Sequence, residues 1–109
     1  MILRYFHFDV TQYDVASAMG TTEREGTPIA AQAPAVAVLS GGHLEARLEE
    51  APTFEAAKME VANGRPLKEG ITRHARVVAG AKQDASGKAW EYVLDPWPPG
   101  IGAKYWEDY

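Results

Sequence analysis

His74 and Asp95 are the two residues of this chain whose types and positions suit them best to act together. His74 opens the run HARVVAGA, Asp95 closes the run KAWEYVLD, and the loop KQDASG separates the two. Apolar, β-branched runs flanking a loop with Asp, Ser and Gly predict a β-hairpin, which sets the start of its first strand beside the end of its second. A carboxylate that accepts the proton of one imidazole nitrogen fixes the tautomer and leaves the other nitrogen basic. That is the orienting half of a nucleophile, base and orienter triad. The same residues also suit a plain hairpin with a strand-edge histidine and a turn-forming aspartate, and the sequence leaves both readings open.

Other candidates are thinner. His7, Asp9, His43 and His74 match no compact metal-ligand spacing, such as two histidines four apart on a helix, so no metal site is expected. The GG at 41 and 42 and the GRP at 64 to 66 lack phosphate-loop spacing and read as turn and helix stop, so no cofactor is expected. Trp97 lies in the stiff segment PWPPG, where a rigid loop can hold an indole exposed for binding, whereas Trp90 is expected in the core. Glu45, Glu49 and Glu50 read as a solvated face.

Several elements must position these residues. ILRYFHFDV, residues 2 to 10, reads as a strand or equally as the end of a helix. Thr11 with Asp14 three residues on forms a weak capping box, and Gly20 stops a short helix over about 12 to 19. Residues 20 to 28 are loop. The alanine-rich stretch 29 to 42 carries Pro34 in its middle and predicts a broken helix. Thr53 caps a helix with Phe54, Ala57 and Val61 on one stripe, ended by Asn63-Gly64-Arg65-Pro66. LKEGI is a short extended segment. In the second strand of the hairpin Trp90, Tyr92 and Leu94 share one face and Glu91, Val93 and Asp95 the other. Pro96, Pro98 and Pro99 end that strand, and AKYWEDY forms an edge strand or final turn. The whole predicts an α+β fold, short helices packed on a small antiparallel sheet, as a single domain over residues 1 to 109.

Composition narrows the function. The net charge is -4, from 15 acidic and 11 basic residues, and no basic stripe is present to neutralise phosphates, so nucleic acid is not expected as a partner. No apolar run is long enough to span a membrane, and the chain reads as soluble. There is no cysteine, which removes disulfides, thiolate metal sites and a cysteine nucleophile from these 109 residues.

The succession VANGRP, a short strand, HARVVAGAKQD, a small turn and EYVLDPWPPG resembles the carboxy-terminal half of the bacterial papain-like cysteine proteases of the staphopain-like type. Upstream, DVTQYDVASAMGTT is similar to the segment that follows the nucleophile helix in that family. The resemblance implies half of a papain-like fold, with His74 as the catalytic base and Asp95 as the residue that orients it. Arg73 stands where the family has glycine, beside the base, and a cation there disfavours the imidazolium. Tyr13 stands where the family often has a second, noncatalytic cysteine. The family's nucleophile, a cysteine opening a helix, has no counterpart in this sequence. The resemblance therefore implies a cysteine-peptidase-related domain that is inactive as an isolated chain, and it implies that the sheet is covered by self-association or by a partner segment bearing the nucleophile. Two other functions stay open: a small protein-binding or regulatory module using Trp97, and a hydrolase in which the His/Asp pair acts on water.

Overall fold

The computed structural model describes residues 1–24, 26–71 and 74–109. Its elements give a mixed α+β architecture, short helices followed by a four-stranded antiparallel sheet of strand order β1-β2-β3-β4. The chain divides into two compact units, Met1–Glu50 and Ala51–Tyr109.

The first unit is helical. Helix α1 spans Ile2–Tyr5, α2 spans Gln12–Met19 and α3 spans Gln32–Leu39. The strand reading of residues 2 to 10 gives way to this single turn of α1. Its backbone closes on itself, with the His7 N–H on the Arg4 carbonyl at 2.9 Å and the Phe8 N–H on the Leu3 carbonyl at 3.0 Å. Helix α2 starts where its cap dictates. Thr11 Oγ1 accepts the Asp14 N–H at 3.0 Å, the Asp14 carboxylate accepts the Thr11 N–H at 2.8 Å, and Gly20 ends the helix in the left-handed region. The break expected near Pro34 falls ahead of it, between a 3-10 turn at Ile29–Ala31 and α3. Pro34 is then in the first turn of α3, where an N–H has no intrahelical acceptor and its loss costs nothing. Apolar burial here is sparse, Leu3 and Ala35, with Ser40 the buried polar residue.

In the second unit α4 spans Phe54–Ala62, with Thr53 Oγ1 accepting the Ala56 N–H at 3.2 Å. Strand β1 is Leu67–Ile71, β2 His74–Gln83, β3 Ala89–Asp95 and β4 Ala103–Asp108, each antiparallel to the next. Helix α4 lies against β2 and β1. Ala57, Val78 and Val93 are the buried apolar residues of this unit, and Val78 pairs directly with Val93.

The hairpin loop is organised by one side chain. Asp84 Oδ1 accepts the Ser86 N–H at 2.9 Å and the Lys88 N–H at 3.0 Å, while Oδ2 accepts the Trp90 indole N–H at 3.0 Å. The Ser86 hydroxyl and the Trp90 indole lead in pushing the Asp84 carboxyl down to about 2. Trp90 is thus only half-buried, tied to the turn with Lys88 over its ring, and not the core residue expected of it. The register slips between Val78 and Gly80, a bulge that moves the following residues of β2 to the opposite faces. Glycine suits this position, because a Cβ on Gly80 would lie 3.0 Å from Tyr92 Cβ, a tight contact, and 3.5 Å from the Trp106 ring, which packs on Tyr92.

Candidate functional site

Strand register decides which side chains meet. Glu69 pairs with Arg76, Val78 with Val93, Val93 with Tyr105 and Glu91 with Glu107. Directly opposed residues share a face and alternate residues return to it. One face of the sheet therefore carries Glu69 from β1, His74 and Arg76 from β2, Glu91 and Asp95 from β3, and Tyr105 and Glu107 from β4. Asp95 lies one step beyond the Val77–Leu94 pair, which sets it diagonally across from His74.

His74 Nε2 is 2.7 Å from Asp95 Oδ1. The same oxygen accepts the Trp97 N–H at 2.9 Å, and Oδ2 accepts the Tyr105 hydroxyl at 2.9 Å. Pro96 and the return of the chain at Gly102 hold this arrangement. Gly102 has φ 68, and a Cβ there would lie 3.0 Å from the Asp95 carbonyl oxygen. The Trp97 N–H, then the Tyr105 hydroxyl and His74, hold the Asp95 carboxyl below its ordinary value against the opposing effect of burial. A depressed carboxylate adds stability above its unfolded pKa, and the contribution disappears as pH falls through the folded one.

An ionised carboxylate only accepts, so the proton between the two residues is on Nε2, and in the neutral form of the ring the lone pair is on Nδ1. Among the described residues Nδ1 has no hydrogen-bond partner. The imidazole side chain is 30% exposed and the carboxylate 13%, so solvent reaches the base more readily than its anchor. The pair can accept a proton from a nucleophile at Nδ1 and return it to a leaving group.

Behind the pair is a second layer that the sequence reading did not identify. Arg76 Nη1 donates to the Tyr105 oxygen at 3.2 Å, Arg76 Nε donates to Glu69 Oε2 at 2.9 Å, and Nη2 lies 2.7 Å from Glu107 Oε2. Arg76 is buried, and Glu107, followed by Glu69 and Tyr105, holds it firmly charged against the cost of burial. On Tyr105, Arg76 pulls the phenol pKa down, but burial and the Asp95 carboxylate together raise it. Glu91 is buried beside this group, and burial, then Glu69, push its carboxyl up despite Arg76. The sign is opposite to that of Asp95: any stability held by protonated Glu91 is lost as pH rises through its folded pKa.

Arg73 lies outside the described residues. Trp97 is 65% exposed and Ile101, in the same loop, 84%. Among the described residues no three His, Cys, Asp or Glu side chains gather to hold a metal, and no helix is long and apolar enough to cross a membrane. No protein-family model matches the chain, and no curated protein or solved structure matches it.

Proposed function

We propose that the chain is a papain-like, cysteine-peptidase-related domain that supplies the base and orienter of an acyl-transfer site and takes its nucleophile from a cysteine outside these 109 residues. The observation that carries this reading is the 2.7 Å contact between His74 and Asp95, on a carboxylate held by two further donors, with Nδ1 left basic. In the step proposed, Nδ1 takes the thiol proton, sulfur bonds to the acyl carbon, and the leaving group departs with that proton from the imidazolium. A partner segment or a second copy bearing the thiol completes the site. The chain alone is inactive on peptides.

The test supplies the missing thiol. The chain is given an activated ester with a small added thiol, and thioester formation is followed for wild type and His74→Ala. The thiol-dependent rate is expected to fall on the order of 10-fold in the variant, less than for a fully positioned base because the thiol is untethered. Equal rates overturn the proposal. Peptide hydrolysis by the chain alone, abolished in His74→Ala, also overturns it, in favour of a pair acting directly on water.

The exposed Trp97 and Ile101 support a second reading, a protein-binding module that uses this loop. Under that reading His74→Ala leaves binding intact.

A further inference from the structure

The Asp95 carboxylate has two oxygens with separate duties. Oδ1 faces His74 and the Trp97 N–H, and Oδ2 is held by the Tyr105 hydroxyl at 2.9 Å. A phenolic O–H rotates about its C–O bond and can equally donate or accept. Here its role is fixed from behind. Arg76 has no lone pair to offer and donates into the Tyr105 oxygen, so the phenolic proton is directed at Asp95. Arg76 is in turn locked between Glu69 on β1 and Glu107 on β4, neighbours on either side of the β2–β3 hairpin. The charged and titratable groups on this face are Glu69, His74, Arg76, Glu91, Asp95, Tyr105 and Glu107, and the relay passes through five of them: Glu69, Glu107, Arg76, Tyr105 and Asp95.

We propose that Tyr105 is a positioning residue for the His74 base: polarised by Arg76, its hydroxyl sets the rotation and basicity of Asp95 and so determines how strongly Asp95 holds the imidazole. This deepens the function proposed above and rests on it. Removing the hydroxyl frees Oδ2, leaves the carboxylate with one donor fewer and makes it more basic. A more basic carboxylate binds the imidazolium more tightly, so His74 then titrates higher. Replacing Arg76 by lysine keeps a cation for Glu69 and Glu107 but lacks the planar fork that also reaches Tyr105.

The experiment is a titration of the His74 ring nitrogens by nitrogen-15 NMR in the wild-type chain, Tyr105→Phe, Arg76→Lys and Asp95→Asn. The histidines at 7 and 43 serve as internal references for the pH scale, and tryptophan fluorescence reports the fold of the second unit. In Tyr105→Phe the His74 midpoint is expected to rise by about half a pH unit, a fraction of one hydrogen bond, with the references unmoved. Arg76→Lys is expected to move it the same way by less, and remains informative if Tyr105→Phe does not fold. In Asp95→Asn the midpoint falls, because the charge that favours the imidazolium is gone. If Asp95→Asn moves His74 while Tyr105→Phe and Arg76→Lys leave it at the wild-type value, the positioning role is wrong and the dyad stands. If Asp95→Asn also leaves His74 unmoved, the dyad itself fails, and with it both proposals.

Discussion

The two units hold their residues in place by different means. In residues 1 to 50 each helix is short, a capping box secures α2 while α1 and α3 have no side-chain cap, and Leu3 and Ala35 are the buried apolar residues, while Met1, Tyr5, Tyr13, Ile29, Val38 and Leu48 are exposed. Helices of this length draw little stability from propensity alone. In residues 51 to 109 a ladder of paired strands fixes side chains across the sheet, those of the central β2 and β3 against neighbours on two sides, and Val78 and Val93 are almost wholly buried. A strand cannot slip by one residue without turning its whole pattern over. The lesson is that chemistry requiring placement to a fraction of an ångström belongs on the ladder, and His74, Asp95, Tyr105 and Arg76 are all there.

That contrast can be broken by substitution. All three tryptophans, at 90, 97 and 106, fall in the second unit, so tryptophan fluorescence reports its unfolding, while far-ultraviolet circular dichroism also follows the helices of the first. The largest effect is expected from Arg76→Ala. It leaves Glu69, Glu107 and the buried Glu91 facing one another without a cation, and should cost about 3 kcal/mol, at the low end for a buried pair because two of the carboxylates are partly exposed. The fluorescence transition should move to lower denaturant. A loss no larger than that of a surface charge would mean that the network adds nothing to the sheet.

A smaller effect sharpens the comparison. Val93→Ala should cost about 2 kcal/mol in the same fluorescence transition, through lost burial and the cavity left beside Val78. Val38→Ala in α3, where the side chain is 74% exposed, should stay within about 0.5 kcal/mol by circular dichroism. Equal losses at both positions would erase the distinction between a unit held by a strand ladder and one of short local helices.

How much of this was legible in the sequence depended on how local the cause was. The caps at Thr11 and Thr53 and the hairpin loop at Asp84 act within a few residues of themselves, and their spelling is visible in the chain. Hairpin closure made it legible that the two strand ends meet, but the bulge between Val78 and Gly80 is what puts His74 and Asp95 on one face. The face shared by Glu91, Val93 and Asp95 was legible from alternation, but its partners on β1 and β4 were not. Arg76 meets Tyr105 across 29 positions, and only the registers of two strand pairs, β2 with β3 and β3 with β4, bring them together. The bulge at Val78 to Gly80 has no local spelling beyond one glycine. Residues 2 to 10 stayed open between strand and helix because aromatic and β-branched composition suits a strand, and only the local hydrogen bonds decide for one helical turn. Trp90 misled because bulk alone implies burial, whereas its indole N–H found a carboxylate at the loop.

The central claim is that Asp95 occupies Nε2 of His74, so that the lone pair of the neutral ring is on Nδ1. Alkylation of the folded chain with a small neutral reagent such as iodoacetamide, followed by identification of the modified ring nitrogen, tests this most directly, with His7 and His43 in the same chain for comparison. The account predicts that His74 is modified at Nδ1 and that Asp95→Ala moves the product toward Nε2. Modification of wild-type His74 chiefly at Nε2 would contradict it, because that nitrogen would then be free and Asp95 would orient nothing.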